Sequence, residues 1–181
     1  SQSDYVYIEG YLVTSPTGRA AAIELRQQAQ ANNTRIALSL SDPAMVQFFR
    51  DGLLEMVGDG VDLLFCNSEE AMGFTQTTSV HEAVEGLKHY AKQFAITCGN
   101  EGSLLFDGKH LIQVAANRVK AIDTNGAGDM FAGAFLYSLS RGHDFKKSGE
   151  FANFAAAKVV SQFGPRLKPE QHAQVKKDFF L

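Results

Sequence analysis

Ile122-Asp123-Thr124-Asn125-Gly126-Ala127-Gly128-Asp129 combines flexible backbone, two carboxylates and the start of an apolar run, Met130 to Leu139. Glycines at 126 and 128 let successive N–H groups turn toward one point, and a helix continuing from there presents its positive end to the same point. The stretch reads as a phosphate site, with Gly126, Ala127 and Gly128 supplying an anion-binding backbone. Asp129 falls in the first helical turn, where a carboxylate can take a proton from a hydroxyl attacking a bound phosphoryl group. Taken alone, Gly-Ala-Gly-Asp is better explained by a tight turn before an acidic helix start.

The 181 residues, 45% of them hydrophobic, are enough for one sizeable core and about one domain. A net charge of −3 offers no basic footprint for nucleic acid, and no apolar run approaches the ~18 residues of a membrane span, so neither partner is expected. Cys66 and Cys98 are too few for a disulfide framework and no secretory pattern opens the chain, which points to a reducing cytoplasm.

Working outward, strand-like runs alternate with helical ones. Tyr5 to Ile8 reads as a strand, the segment after the Ser15-Pro16-Thr17-Gly18 turn to Asn32 as a helix, Arg35 to Leu40 as a strand and Ala44 to Val57 as a helix. Asp62 to Cys66 reads as a buried strand, Asn67 to Gly73 as a turn, and about Val80 to Lys92 as a helix. Phe94 to Cys98, Leu104 to Phe106 and His110 to Ala115 read as strands around the Gly99–Gly102 and Asp107-Gly108 turns. Helices are expected at Asp129 to Ser140, about Lys147 to Phe163, and Pro169 to Phe179. The alternation predicts an α/β fold with a mainly parallel sheet and ligands beyond the carboxyl ends of its strands.

Asn67-Ser68-Glu69-Glu70 follows one strand and Thr97-Cys98-Gly99-Asn100-Glu101-Gly102 ends another, so both fall where ligands gather. An Asn after a strand is by itself more often a turn or cap residue, and a hairpin turn needs glycines too. Asn153 lies in a run, Phe151 to Val160, apolar around most of a helix, and so needs a partner. Ala132, Gly133 and Ala134 suit close backbone packing. The five histidines show no metal-ligand spacing, the cysteines suit small buried positions, and Lys146-Lys147 and Lys176-Lys177 look like solvated faces.

Together the eight residues from Ile122 match the Asp-Thr-x-Gly-Ala-Gly-Asp signature, and the chain resembles the phosphofructokinase-B (ribokinase-like) family of sugar and nucleoside kinases. Asn after Thr, with Leu38–Pro43, Gln47-Phe48-Phe49 and Val61–Asn67 in the same order, makes the adenosine-kinase branch the nearest likeness. Ser39 and Asp42 depart from that branch, which commonly has Asn and Ala there. The resemblance implies a three-layer ribokinase-like fold, with ATP and Mg²⁺ as cofactors and a nucleoside or sugar acceptor. It implies Asp129 as base, Asn67 and Glu70 placing Mg²⁺ through water, and Thr97, Gly99, Gly102 and Thr124 along the nucleotide. It also implies Asn153 near the adenine and a monovalent cation such as K⁺ near Asp123. Sugar phosphorylation, as by a fructokinase or ribokinase, and a non-catalytic nucleotide-binding module are the rival readings. Members of that family are considerably longer. The expectation is a C-terminal ATP-binding portion spanning 1–181, with the acceptor-binding part and lid absent, inactive alone and prone to self-association through an exposed sheet edge.

Overall fold

A computed structural model describes residues 3–181. Among these residues, six strands form one sheet in the sequential order β1-β2-β3-β4-β5-β6. Strands β1 (Tyr5–Glu9), β2 (Arg35–Ser39), β3 (Val61–Asn67) and β4 (Ala91–Thr97) are separated by helices α1 (Pro16–Ala31), α2 (Pro43–Val57), α3 (Ser68–Thr75) and α4 (Val80–Leu87). Strands β5 (Ser103–Phe106) and β6 (Leu111–Val114) follow, then α5 (Ala127–Ser140), α6 (Phe145–Val160) and α7 (Pro169–Phe180). The helical crossovers carry β1 and β2, and β2 and β3, into parallel pairs, with Tyr5 opposite Arg35 and Ala37 opposite Leu63. The turn from Asp107 to His110 is too short for a crossover, so β5 and β6 form a hairpin.

The chain divides into two compact units, one running to Ile96 and including Phe106–His110, the other comprising Thr97–Leu105 and Leu111–Leu181. In the first, the parallel strands are apolar on both faces, with Ile36, Ala37, Leu38, Leu63 and Leu64 buried. Asp62 ties three strands: its Oδ2 accepts the Ile36 N–H at 2.8 Å and its Oδ1 meets Lys92 Nζ at 2.8 Å. Helix α2 is capped by Asp42, whose Oδ1 accepts the Ala44 N–H at 2.8 Å, and breaks from helical geometry at Phe49 (φ −131°, ψ 23°).

In the second unit α6 lies against the β5–β6 hairpin so closely that a Cβ at Gly149 would fall 2.4 Å from Leu105 Cδ1. Phe135 stacks on Phe131 (5.9 Å) and meets Phe145 edge-on (4.9 Å), locking α5 to α6. Helix α7 adds Phe180, 4.6 Å from Phe151.

The expected elements are present, with corrections. Ser68–Thr75, expected as a turn, is helix α3, because Asn67 and Glu70 close a reciprocal capping box. The helix from Val80 ends at Leu87, not Lys92, freeing Ala91 to open β4. Ser15–Gly18 is the capped first turn of α1 rather than a turn before it, and α5 begins at Ala127, two residues before Asp129. Gly133 is exposed with nothing within 4 Å of a Cβ, so Ala132 and Ala134 pack while Gly133 does not. Lys147 and Lys176 are not simply solvated: their ammonium groups sit over the Phe179 and Tyr137 rings at 4.4 and 5.3 Å.

Gly102 (φ 98°) passes so near β6 that a Cβ would fall 2.0 Å from Val114 O. Gly102→Ala should therefore lower unfolding free energy by about 2 kcal/mol or more, whereas Gly133→Ala should leave it unchanged or raise it by up to about 1 kcal/mol. Urea unfolding of the two variants followed by circular dichroism checks the contrast.

Candidate functional site

Gly126 is the N-cap of α5 and sits in the left-handed region (φ 76°), with no side-chain cap at the helix start. A Cβ there would fall 2.1 Å from Pro165 O, so only glycine lets this turn pack beneath the 164–165 loop. The Ala127 N–H is taken by Thr124 O at 3.3 Å and the Met130 N–H by Gly126 O at 3.0 Å. Between them, the Gly128 and Asp129 N–H groups have no acceptor among the described residues, the ordinary condition of an uncapped helix start. Gly128 is exposed, with nothing within 4 Å of a Cβ position, so a ligand can approach its backbone directly.

This helix start borders a cavity of about 630 Å³ built wholly from the second unit. Of the residues selected from sequence, Thr97, Gly99, Gly102, Thr124, Ala127, Gly128 and Asn153 line it. The volume suits a nucleotide-sized ligand. One part of its wall is apolar, from Phe131, Ala156, Ala157 and Val160, and another is the backbone of the Gly99–Gly102 turn. Gly99 (φ 56°) has open space where a Cβ would project, unlike Gly102, whose glycine is required by β6. Asn153 is buried and donates from Nδ2 toward Ser103 Oγ (3.2 Å), Ala115 O (3.1 Å) and Val114 O (3.4 Å). Its need for a partner is thus met by the β5–β6 hairpin.

Asp129 is exposed in the first turn of α5 and is not part of the cavity wall. Asp123 staples the loop before that helix: Oδ1 accepts the Asn125 N–H and Oδ2 the Gly164 N–H, each at 3.0 Å. These two amides hold its carboxyl below the usual carboxylate range. Arg118, missed in the sequence because the unstructured run 115–121 has no periodicity, is the one ionisable side chain lining the cavity among the described residues. Asn117, Val119 and Phe131 were likewise not anticipated.

Asn67 and Glu70 belong to the first unit. Glu70 Oε2 accepts the Asn67 N–H at 2.9 Å, Oε1 accepts Asn67 Nδ2 at 2.7 Å, and Asn67 Oδ1 accepts the Glu70 N–H at 2.8 Å. Each Glu70 oxygen thus accepts one bond within the capping box, an arrangement compatible with Mg²⁺ held through its retained water. Burial pushes the Glu70 carboxyl up to about 7, against the lowering effect of the Asn67 backbone bond and helped by the nearby charges of Asp42 and Glu69. The first unit also carries a concavity of about 790 Å³ along α2, but none of the sequence-selected residues line it. Among the described residues no cluster of three or more His, Cys, Asp or Glu is arranged to hold a metal, and no helix is long and apolar enough to cross a membrane. Cys98 is half-buried; burial, then the Glu101 charge, pushes its thiol up, which disfavours a nucleophilic role.

The sequence pattern of the pfkB family carbohydrate kinases matches residues 1–172. The chain belongs to that family. It is 30% identical to the adenosine kinase of Schizophyllum commune over 91% of this chain and 52% of that protein. It is 32% identical to the ribokinase of Lactococcus lactis over 68% of this chain and 40% of that one. The crystal structure of adenosine kinase from Sinorhizobium meliloti superposes with a TM-score of 0.91 at 32% identity, covering 98% of this chain and 55% of that chain. The ribokinase-like fold with its mostly parallel sheet follows from this likeness. The pfkB chain here spans about half the length of the curated relatives it matches.

The Glu70 carboxyl gives this pfkB chain a pH signature. The folded state keeps the Glu70 proton up to about pH 7, while the unfolded chain releases it near the ordinary 4.5. The Glu70 contribution therefore favours folding at low pH and is lost as pH rises through that window, by up to about 3 kcal/mol. Chemical unfolding between pH 4.5 and 8 should show a slope that Glu70→Gln removes; an unchanged slope would contradict the burial argument.

Proposed function

We propose that this protein transfers the γ-phosphoryl group of ATP to a hydroxymethyl group of a nucleoside, adenosine-like in shape. The reading rests on one observation above others, the uncapped α5 start whose Ala127 and Gly128 line a nucleotide-sized cavity. Family membership and the likeness to adenosine kinases support it. In this reading the nucleotide lies along Thr97, Gly99, Gly102 and Thr124, and the glycine-rich turn Gly126-Ala127-Gly128 holds the transferring phosphoryl group by its amides. Asp129 accepts the proton of the acceptor hydroxyl as that oxygen attacks phosphorus and the bond to ADP breaks. Asn67 and Glu70 are the pair that would hold Mg²⁺ through water. K⁺ beside Asp123 would reinforce the loop that Asp123 already staples. Positioning and electrostatics carry the acceleration. Sugar phosphorylation is the second reading, favoured by the likeness to ribokinase and by the departures at Ser39 and Asp42.

A panel of nucleosides and sugars assayed with ATP and the protein at its native length, the form in which all turnover is to be measured, separates the two: adenosine turned over faster than ribose or fructose supports the first reading, and the reverse order the second. Asp129→Asn should lower turnover by at least ~10²-fold while leaving ATP affinity within a few-fold; near-normal turnover would remove Asp129 from the base role. Arg118→Ala should weaken ATP binding several-fold and flatten its dependence on salt, since it removes the one formal charge on the cavity wall.

A further inference from the structure

We infer that Asn125-Gly126 is a modification site at which the chain spontaneously loses ammonia, and that the aspartate or isoaspartate formed there weakens the hold of the neighbouring turn on phosphate. Only the second half rests on the proposal that the second-unit cavity takes a nucleotide. Asparagine is labile where the backbone nitrogen that follows it can reach its side-chain carbonyl, and glycine, having no Cβ, obstructs that approach least. Asn125 is the one asparagine in the sequence followed by glycine. It is exposed, in the turn that leads into α5, and its side-chain amide has no partner among the described residues. The Gly126 N–H has no acceptor there either, so electrophile and nucleophile are both uncommitted. Other asparagines are held back. Asn67 precedes the small Ser68, but its Nδ2 donates to Glu70 Oε1 and its Oδ1 accepts the Glu70 N–H. Asn153 is buried with its nitrogen given to the hairpin, ahead of the bulky Phe154.

The chemistry needs only water. Solvent base removes the Gly126 N–H proton, and that nitrogen attacks Asn125 Cγ. The bond from Cγ to Nδ2 breaks as the new one forms, and Nδ2 takes a proton from solvent and leaves as ammonia, closing a cyclic imide. Water then opens the ring. Attack at Cγ gives aspartate; attack at the main-chain carbonyl gives isoaspartate, whose chain runs through Cγ and is longer by a methylene. Water enters, ammonia leaves, and nothing is oxidised or reduced. The positive end of α5 favours the anionic nitrogen on which the first step depends. Either product adds a carboxylate beside Asp123 and next to the uncapped amides of α5. The isoaspartate methylene is harder still to accommodate, because Asp123 Oδ1 holds the Asn125 N–H on one side and Pro165 O crowds Gly126 on the other. Phosphate at this turn thus meets added negative charge and a displaced backbone.

The purified protein at its native length is aged in neutral and in mildly alkaline buffer. Peptide mass spectrometry follows the exchange of NH₂ for OH at each asparagine, and enzymatic methylation reads isoaspartate. Conversion should appear first at Asn125, outpace Asn67, quicken with alkalinity and be suppressed in Asn125→Gln, whose longer side chain closes the ring poorly. Conversion no faster at Asn125 than at Asn67 would overturn the site. Aged protein and Asn125→Asp should bind Mg²⁺-ADP several-fold more weakly than fresh protein, with the gap narrowing at high salt, while aged Asn125→Gln keeps the affinity of its fresh form. Converted protein that binds as tightly as fresh would overturn the second half and leave the modification site standing. Fresh protein that binds no Mg²⁺-ADP would instead overturn the nucleotide reading on which that half rests.

Discussion

Gly126 is held between two demands that only hydrogen at Cα satisfies. Its φ of 76° turns the chain into α5, and Pro165 O occupies the place a Cβ would take. Those constraints fix where the helix starts and leave its first turn uncapped, with the Gly128 and Asp129 amides donating to nothing among the described residues. Asp123 braces the same turn from the other side by accepting amides from both Asn125 and Gly164. The loop is therefore built before any ligand arrives, and the aromatic packing of Phe131, Phe135 and Phe145 holds the helix that carries it. Preorganised amides need no rearrangement when charge develops, which is the advantage such a site offers phosphoryl transfer.

The β5–β6 hairpin does comparable work on the opposite part of the cavity wall. Gly102 and Gly149 permit approaches, to Val114 O and to Leu105, that no side chain would allow. With β6 and α6 drawn together in this way, the Val114 and Ala115 carbonyls come within reach of Asn153 Nδ2. A buried polar side chain in an otherwise apolar helix is thereby satisfied and at the same time oriented.

The glycine-rich turn before α5 and the alternation of strand and helix were legible in the sequence because each is a local pattern: glycine spacing, a helix start, and apolar runs of the right length. Helix α3 was not, although Asn67-x-x-Glu70 is a capping-box spacing, because the turn-forming character of Asn and Ser outweighed it. The overextended α4 has a similar origin: helix-compatible composition continues past Leu87, and only the pairing of β4 within the sheet takes those residues away. Arg118 and Ser103 lay beyond sequence reasoning for a different reason. Each owes its place to residues far along the chain, Arg118 to the cavity wall and Ser103 to Asn153, fifty positions on. At Gly102 the sequence left a nucleotide contact and a hairpin turn both open, and the close approach of Val114 O supplies a structural need for glycine there.

The central claim is that one preformed cavity in the second unit takes the nucleotide along its glycine turns. Backbone amide resonances followed by NMR while Mg²⁺-ADP is added test it most directly, because they report each turn separately. The account predicts that Gly99, Gly102, Gly128 and Asp129 shift together with a single dissociation constant. Shifts confined to residues around Arg19 and Phe49 in the α2 concavity of the first unit, or none at Gly128 and Asp129 at saturation, would contradict it.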